Sequence, residues 1–156
     1  MTIAASVRRY LADEGVEYDT ITHSRTRDSS HSAQAAHVPG DQLAKCVMLS
    51  DDNGYLMAVI PASHRLDLSA VRHELHRDLG LATERELMEL FKDCEPGAVP
   101  PLGCAYGIEM VLDQSFGDMP DAYFEGGDHE SLVHVSGSDF LKLMANAPRR
   151  FVSHRL

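Results

Sequence analysis

Apolar residues set the first element: Ile3, Val7, Tyr10 and Leu11 share one helical face, predicting a helix over 2–14 that Gly15 stops. A short strand follows over 17–23, with Tyr18 and Ile21 set among polar residues. Residues 24–40 are polar and rich in Ser, Ala and His, with one short helix expected over 32–37. The clearest local pattern comes next. Two apolar runs, 42–50 and 55–61, flank Asp51-Asp52-Asn53-Gly54, and Asn-Gly between strand-like runs predicts a hairpin with a type I′ turn. With Asn53 and Gly54 as the loop, Asp52 faces Tyr55 and Lys45 faces Ala62.

The period then returns to that of a helix. Val71, Leu75 and Leu79 form one stripe over 69–79. Thr83-Glu84-Arg85-Glu86 is a capping-box pattern opening a second helix, with Leu87, Leu90 and Phe91 inward. After a loop over 95–103, Ile108, Met110 and Leu112 alternate with Glu109 and Asp113 as a strand. Short strands are expected over 122–125 and 132–136, and Ser138 is placed to cap a last helix carrying Phe140, Leu141 and Met144. Strands slightly outnumber helices, and their connections mix hairpins with helical crossovers. The prediction is an α/β domain on a mixed sheet. No repeat, low-complexity run or Pro/Gly linker divides the 156 residues, so they read as one domain with a loose basic tail over 147–156.

Composition narrows the classes. Hydrophobic residues at 44% and charged residues at 24% exclude a disordered, collagenous or coiled-coil chain. The longest apolar runs are five or six residues, short of a membrane span, and the N-terminus lacks a signal-peptide apolar core. Cys46, Cys94 and Cys104 form no CxxC pair and leave an odd count, which fits a reducing compartment. A cytoplasmic protein without a membrane partner is expected. Fourteen basic against twenty-four acidic residues give a net charge of −10, opposite in sign to a protein that grips long nucleic acid backbones. Any nucleic-acid partner must be touched briefly, at a small local patch, or with help, and no DNA partner is expected. Only three of the fourteen basic residues are lysines, so Lys45 stands out.

On a strand, Leu43, Lys45, Val47 and Leu49 share one face while Ala44, Cys46 and Met48 share the other. Both faces are apolar, which places a lysine inside a central strand. Its amine either snorkels to water or stands at a cleft rim to meet an anionic or carbonyl-bearing ligand. The second candidate is the loop from Gly97 to Gly103. Pro100 and Pro101 lack N–H groups, so the remaining ones, on Ala98, Val99, Leu102 and Gly103, can be aimed at a carbonyl or phosphate oxygen. The third is Gly126-Gly127-Asp128-His129, where glycines permit close backbone approach and His129 follows directly. No GxSxG elbow, Walker loop, GxGxxG or HExxH is present. His73 and His76 are spaced to share a metal with His64 upstream, but they lie among Arg72, Glu74 and Arg77 on a solvated face. Neither a metal nor any other cofactor is therefore expected. Cys46 points away from Lys45 and reads as a small core residue. Arg149, Arg150, Phe151 and Arg155 make the tail the one locally basic segment, either frayed or phosphate-facing.

Three stretches in order carry a resemblance: Leu43-Ala44-Lys45 before an apolar strand and hairpin, Pro61-Ala62-Ser63-His64-Arg65-Leu66-Asp67-Leu68, and Glu95-Pro96-Gly97-Ala98-Val99-Pro100-Pro101-Leu102-Gly103 before another apolar strand. With the Gly126–His129 turn and the final helix, the chain resembles the YbaK/prolyl-tRNA synthetase-associated domain family, the aminoacyl-tRNA editing domains, over residues 15–146. The resemblance implies a mixed, barrel-like β-sheet with surrounding helices. It implies trans-editing, the hydrolysis of a wrong amino acid from the 3′ end of tRNA. Lys45 matches the family's essential lysine, which contacts the terminal adenosine's phosphate. Gly97 and Pro101 match its GxxxP loop, whose N–H groups hold the amino-acid carbonyl, and His129 matches a histidine that guards the amino-acid pocket. Glu125 falls where some members carry a small hydroxyl residue, a departure that bears on pocket specificity.

The family mechanism uses a water assisted by the tRNA's own terminal ribose hydroxyl, so no protein nucleophile is required. Two other readings remain open at this point: a non-catalytic module that binds tRNA or a synthetase, and a hydrolase of small esters or amides. Joint retention of Lys45 and the GxxxP loop speaks against the module. Under the editing reading the −10 charge limits contact to the acceptor 3′ end, transiently, with a synthetase or elongation factor supplying further grip.

Overall fold

The computed structural model describes residues 3–25 and 29–156, with the side chains of residues 29 and 30 outside that description. The expected helix start at Thr2 and residues 26–28 of the polar stretch lie outside the described residues. In chain order the elements are α1 (Ala5–Asp13), β1 (Asp19–Thr22), α2 (Ser29–Ala36), β2 (Leu43–Asp51), β3 (Gly54–Pro61), β4 (His64–Leu66), α3 (Leu68–Leu75), β5 (Gly80–Leu81), α4 (Glu84–Leu90), β6 (Glu109–Asp113), β7 (Asp121–Glu125), β8 (Ser131–Ser136), α5 (Gly137–Leu143), β9 (Arg149–Arg150) and β10 (Ser153–Arg155). The mixed α/β class is as expected. The main sheet runs β1-β8-β7-β2-β3-β6-β9, with β5 also on β2, and β4 pairs β10 separately. Strands β1 and β9 end the path without pairing each other among the described residues, so the sheet does not close into a barrel.

Strand alternation divides the core as the sequence pattern requires. Ala44 and Met48 of β2 join Val7 and Leu11 of α1, Phe124, and Phe140 of α5 on one face, with Leu87 and Leu90 of α4 packed against them. On the other face Leu49 lies with Ile60, Val71 and Leu79 beneath α3. Leu43 lies with Ala33, Val38 and Leu132 beneath α2. Lys45 is the polar break between these last two clusters.

The hairpin corrects the expected register. Asp51 pairs Gly54 and Lys45 pairs Ile60, so Asp52 and Asn53 form the loop. The Asp51 carboxylate accepts the Asn53 N–H at 2.9 Å and two Arg77 N–H groups, each at 2.8 Å, which fixes Asp51 as the last strand residue. Gly54, at φ 132°, takes the first position of β3, where a side chain is strained. The slip moves Lys45's partner by two positions, so every side chain keeps its face.

Helix starts follow local chemistry. Thr83 and Glu86 make both bonds of the capping box. Asp67 accepts the Ala70 N–H to open α3, which ends at His76, so the buried Leu79 lies beyond the helix. Ser136, not Ser138, caps α5, its Oγ accepting the Asp139 N–H at 3.1 Å. The tail is not loose. Val152 is fully buried, its N–H donates to Asp113 Oδ1 at 3.0 Å, and β9 and β10 pair with β6 and β4. Arg155 pairs with Asp41 and Arg149 donates to the Phe116 carbonyl, so two of the tail's arginines are committed within the fold. Among the described residues no helix is long and apolar enough to cross a membrane.

Candidate active site

The site begins with an interruption in β2's edge. One edge of β2 is paired by β3 along most of its length. The other pairs β7 only at Leu43 and Ala44, and β5 only at Leu49 and Ser50. Between these partners, residues 45–47 have no strand neighbour on that side among the described residues. Two loops converge there. The turn 126–130 continues from β7, and the loop 95–103 crosses the Cys46 face, where the Cys46 thiol donates to the Val99 carbonyl at 3.4 Å.

Lys45 is half-buried, and its Nζ donates to the Ala62 carbonyl at 3.4 Å. Ala62 lines a cavity of about 590 Å³ together with Ala33, Gln34, His37 and Pro39. Gly97 is exposed with φ 84°, a conformation that favours glycine. Pro101 and Leu102 are buried behind it. Of the four N–H groups expected to point outward, two are taken. That of Ala98 bonds the Glu95 carbonyl at 3.1 Å, and that of Gly103 bonds Met110 Sδ at 3.1 Å. Gly103 instead serves packing, since a Cβ there would lie 2.6 Å from the Ile108 carbonyl oxygen. Val99 and Leu102 keep N–H groups without a protein partner among the described residues.

The loop and the turn are laced together. The Glu95 N–H donates to the Gly127 carbonyl at 2.7 Å, and His129 Nε2 donates to the Pro96 carbonyl. Asp128 holds the turn by accepting from the Glu130 and Ser131 N–H groups and from Ser131 Oγ. His129 consequently sits at φ 62° and Gly127 at φ 116°. The structure therefore joins Gly127 and His129 to the Gly97 loop, which lies on the Cys46 face of β2, while Lys45 stands on the opposite face of the same strand.

Glu125, noted in the sequence only as a departure from the family pattern, and His23, Ser32 and Arg25, which it did not single out, line the same region. By register and alternation, Glu125 of β7 lies level with Lys45 and on the same face. Ile21 shares that row through Leu132, and His23, two residues on, faces the same way. Ser32 Oγ of α2 donates to Glu125 Oε1 at 2.7 Å. Burial raises the Glu125 pKa, partly offset by the Ser32 bond and by His23 and His129. Arg25 makes a two-point ion pair with Glu95, at 2.7 and 3.1 Å, tying the segment after β1 to the loop. The signal in the sequence was a carboxylate at an inward β7 position, but only strand order shows what it meets.

The cysteines are poor nucleophiles here. Burial pushes the Cys46 and Cys94 thiols up to about 12. His64 hydrogen-bonds Ser153 Oγ at 2.9 Å. Among the described residues no three His, Cys, Asp or Glu side chains are grouped to hold a metal ion. What this region offers is a lysine amine, a glycine-hinged loop with two N–H groups left without a protein partner among the described residues, and a buried polar row on β7. Such groups suit positioning an anionic ligand and stabilising a developing oxyanion.

The chain is similar to known proteins. A family model of the aminoacyl-tRNA editing domain matches residues 23–143. The proline–tRNA ligase of Trichlorobacter lovleyi is 27% identical over 130 residues, covering 80% of this chain and 22% of the ligase. That of Bacillus subtilis is 26% identical over 113 residues, covering 70% and 20%. The chain thus spans about a fifth of the length of these curated relatives. Among solved structures, a proposed trans-editing enzyme for prolyl-tRNA synthetase superposes with TM-score 0.80 over 98% of this chain and 99% of that one. Its 24% identity makes this a likeness of fold. With the family match covering most of its length, the chain belongs to the aminoacyl-tRNA editing domain family.

Proposed function

We propose that the protein is a trans-editing deacylase, a hydrolase that removes a mischarged amino acid from the 3′ end of tRNA. The observation that carries this reading is Lys45, half-buried on β2 between the segments paired by β7 and by β5, in a chain of the editing family. Water attacks the ester carbonyl carbon, a C–O bond forms to the water oxygen, and the bond to the ribose oxygen breaks. The water's proton passes to that ribose oxygen. Lys45 neutralises a phosphate of the terminal nucleotide and so fixes the ester's position. The uncommitted N–H groups of the Gly97 loop meet the carbonyl oxygen as it gains charge. Neither role needs a protein nucleophile, in keeping with the raised Cys46 and Cys94 thiols.

The net charge of −10 confines the contact to the acceptor end, so binding of free tRNA is weak and salt-sensitive, and a synthetase or elongation factor contributes further grip. The test is amino-acid release from a panel of mischarged tRNAs and from simple amino-acid esters. Release from tRNA alone supports the reading. Release from neither substrate class overturns it, and equal release from both makes the protein a general esterase.

A further inference from the structure

The polar row beneath α2 holds a group that the proposed reaction leaves unused. Glu125 is 1% exposed, and while Oε1 accepts from Ser32, Oε2 has no hydrogen-bond partner among the described residues. His23 Nε2 and His129 Nδ1 are also buried without a hydrogen-bond partner among the described residues. Both rings act electrostatically on Glu125. Buried polar atoms are nearly always paired, so a carboxyl oxygen and two ring nitrogens left open among the described residues point to a polar group supplied from outside.

The occupant's chemistry follows from the other ends of the same rings. His23 Nδ1 lies 2.7 Å from the Ser24 carbonyl, and His129 Nε2 bonds the Pro96 carbonyl. Carbonyls only accept, so each ring commits an N–H there, and the neutral tautomer that does so presents a lone pair on the opposite nitrogen. With the Glu125 carboxylate this makes three acceptors. An alkyl group would leave all three unpaired, and the described side chains are not grouped for a metal ion. An ammonium carries three N–H donors and the charge that Glu125 needs.

Its place along the substrate follows from His129. That ring is bonded to Pro96, the residue before Gly97, whose loop is proposed to hold the ester carbonyl. In an aminoacyl ester the amine is borne by the carbon next to that carbonyl. We infer that Glu125, His23 and His129 form the recognition site for the free α-ammonium group of the aminoacyl substrate. The inference rests on the editing reaction proposed above. It makes the protein selective for aminoacyl over other acyl esters of tRNA.

The test compares a mischarged tRNA with the same tRNA after N-acetylation of its amino acid, using whichever member of the mischarged panel is released fastest. Losing hydrogen bonds to a charged group predicts that kcat/KM for the N-acetylated form falls about tenfold to a hundredfold or more. Glu125→Gln keeps an acceptor for Ser32 but turns an amide N–H toward the ammonium. Its preference for the free amine collapses toward unity, with KM for the free-amine substrate rising more than kcat falls. Equal release of free and N-acetylated amino acids by the unaltered chain overturns the inference and leaves the editing reaction standing. An undiminished preference in Glu125→Gln removes Glu125 from the site. Release from neither tRNA overturns both. Comparing substrates on the unaltered chain keeps the test independent of how the variant folds.

Discussion

Replacing Gly127 by alanine probes the turn that holds the loop 95–103 in place. At φ 116° an L residue is strained, which costs about 1–3 kcal/mol. The new Cβ would also lie 3.2 Å from Ala4 Cβ and 3.3 Å from Cys94 Sγ. Ala4 cannot rotate away, because its Cβ is fixed to a backbone whose N–H donates to the Gly126 carbonyl at 2.8 Å. Crowding adds about 1–3 kcal/mol, while reduced freedom of the unfolded chain returns roughly 0.4–1 kcal/mol. The net expectation is about 2–4 kcal/mol, or a Tm drop of roughly 5–15 °C for a domain of this size. Urea denaturation measures it, with two controls. Gly15→Ala has a positive φ, 66°, but open space, and isolates the strain. Gly117→Ala has neither strain nor a neighbour and should stay within about 0.5 kcal/mol of the parent. Deacylation should fall as well, since the Gly127 carbonyl holds Glu95 and with it the loop. A Gly127→Ala protein as stable as Gly117→Ala refutes the reasoning.

Other outcomes follow from the same structure. Val152→Ala should cost about 2–3 kcal/mol, because two buried methyl groups are lost where the tail docks, and a loose tail would show no loss in urea denaturation. Thr83→Ala should cost about 1 kcal/mol by removing the hydroxyl that accepts the Glu86 N–H, read by the same assay. His134 is held between Asp19 and Asp121 at 2.6 and 2.7 Å, which raises its folded pKa. The charged pair therefore stabilises fully below the unfolded pKa of about 6.5, and that stability is lost as pH rises through the higher folded value. His134→Asn should flatten the difference in urea midpoint between pH 5.5 and 8.5, and an unchanged pH dependence would contradict the assignment.

What could be read from the sequence was local. The alternation of 43–49 placed Lys45 opposite Cys46 on β2, and Thr83-Glu84-Arg85-Glu86 marked the start of α4, because both depend on neighbours in the chain. The hairpin register went wrong by one loop position because Arg77, far along the chain, clamps Asp51 and makes it the final strand residue. The tail was misread as loose for a similar reason: the buried Asp113 carboxylate that anchors Val152 is remote in sequence. The bond between the Gly97 loop and the His129 turn joins residues 33 positions apart, and no local pattern announces it. Glu125 and His23 needed the order β1-β8-β7-β2, which no local pattern encodes.

Lys45→Ala, assayed for amino-acid release from mischarged tRNA, tests the central claim most directly. The account predicts a loss of at least about a hundredfold, with an unchanged circular dichroism spectrum and urea midpoint showing the fold intact. Full deacylase activity in the Lys45→Ala protein would contradict it.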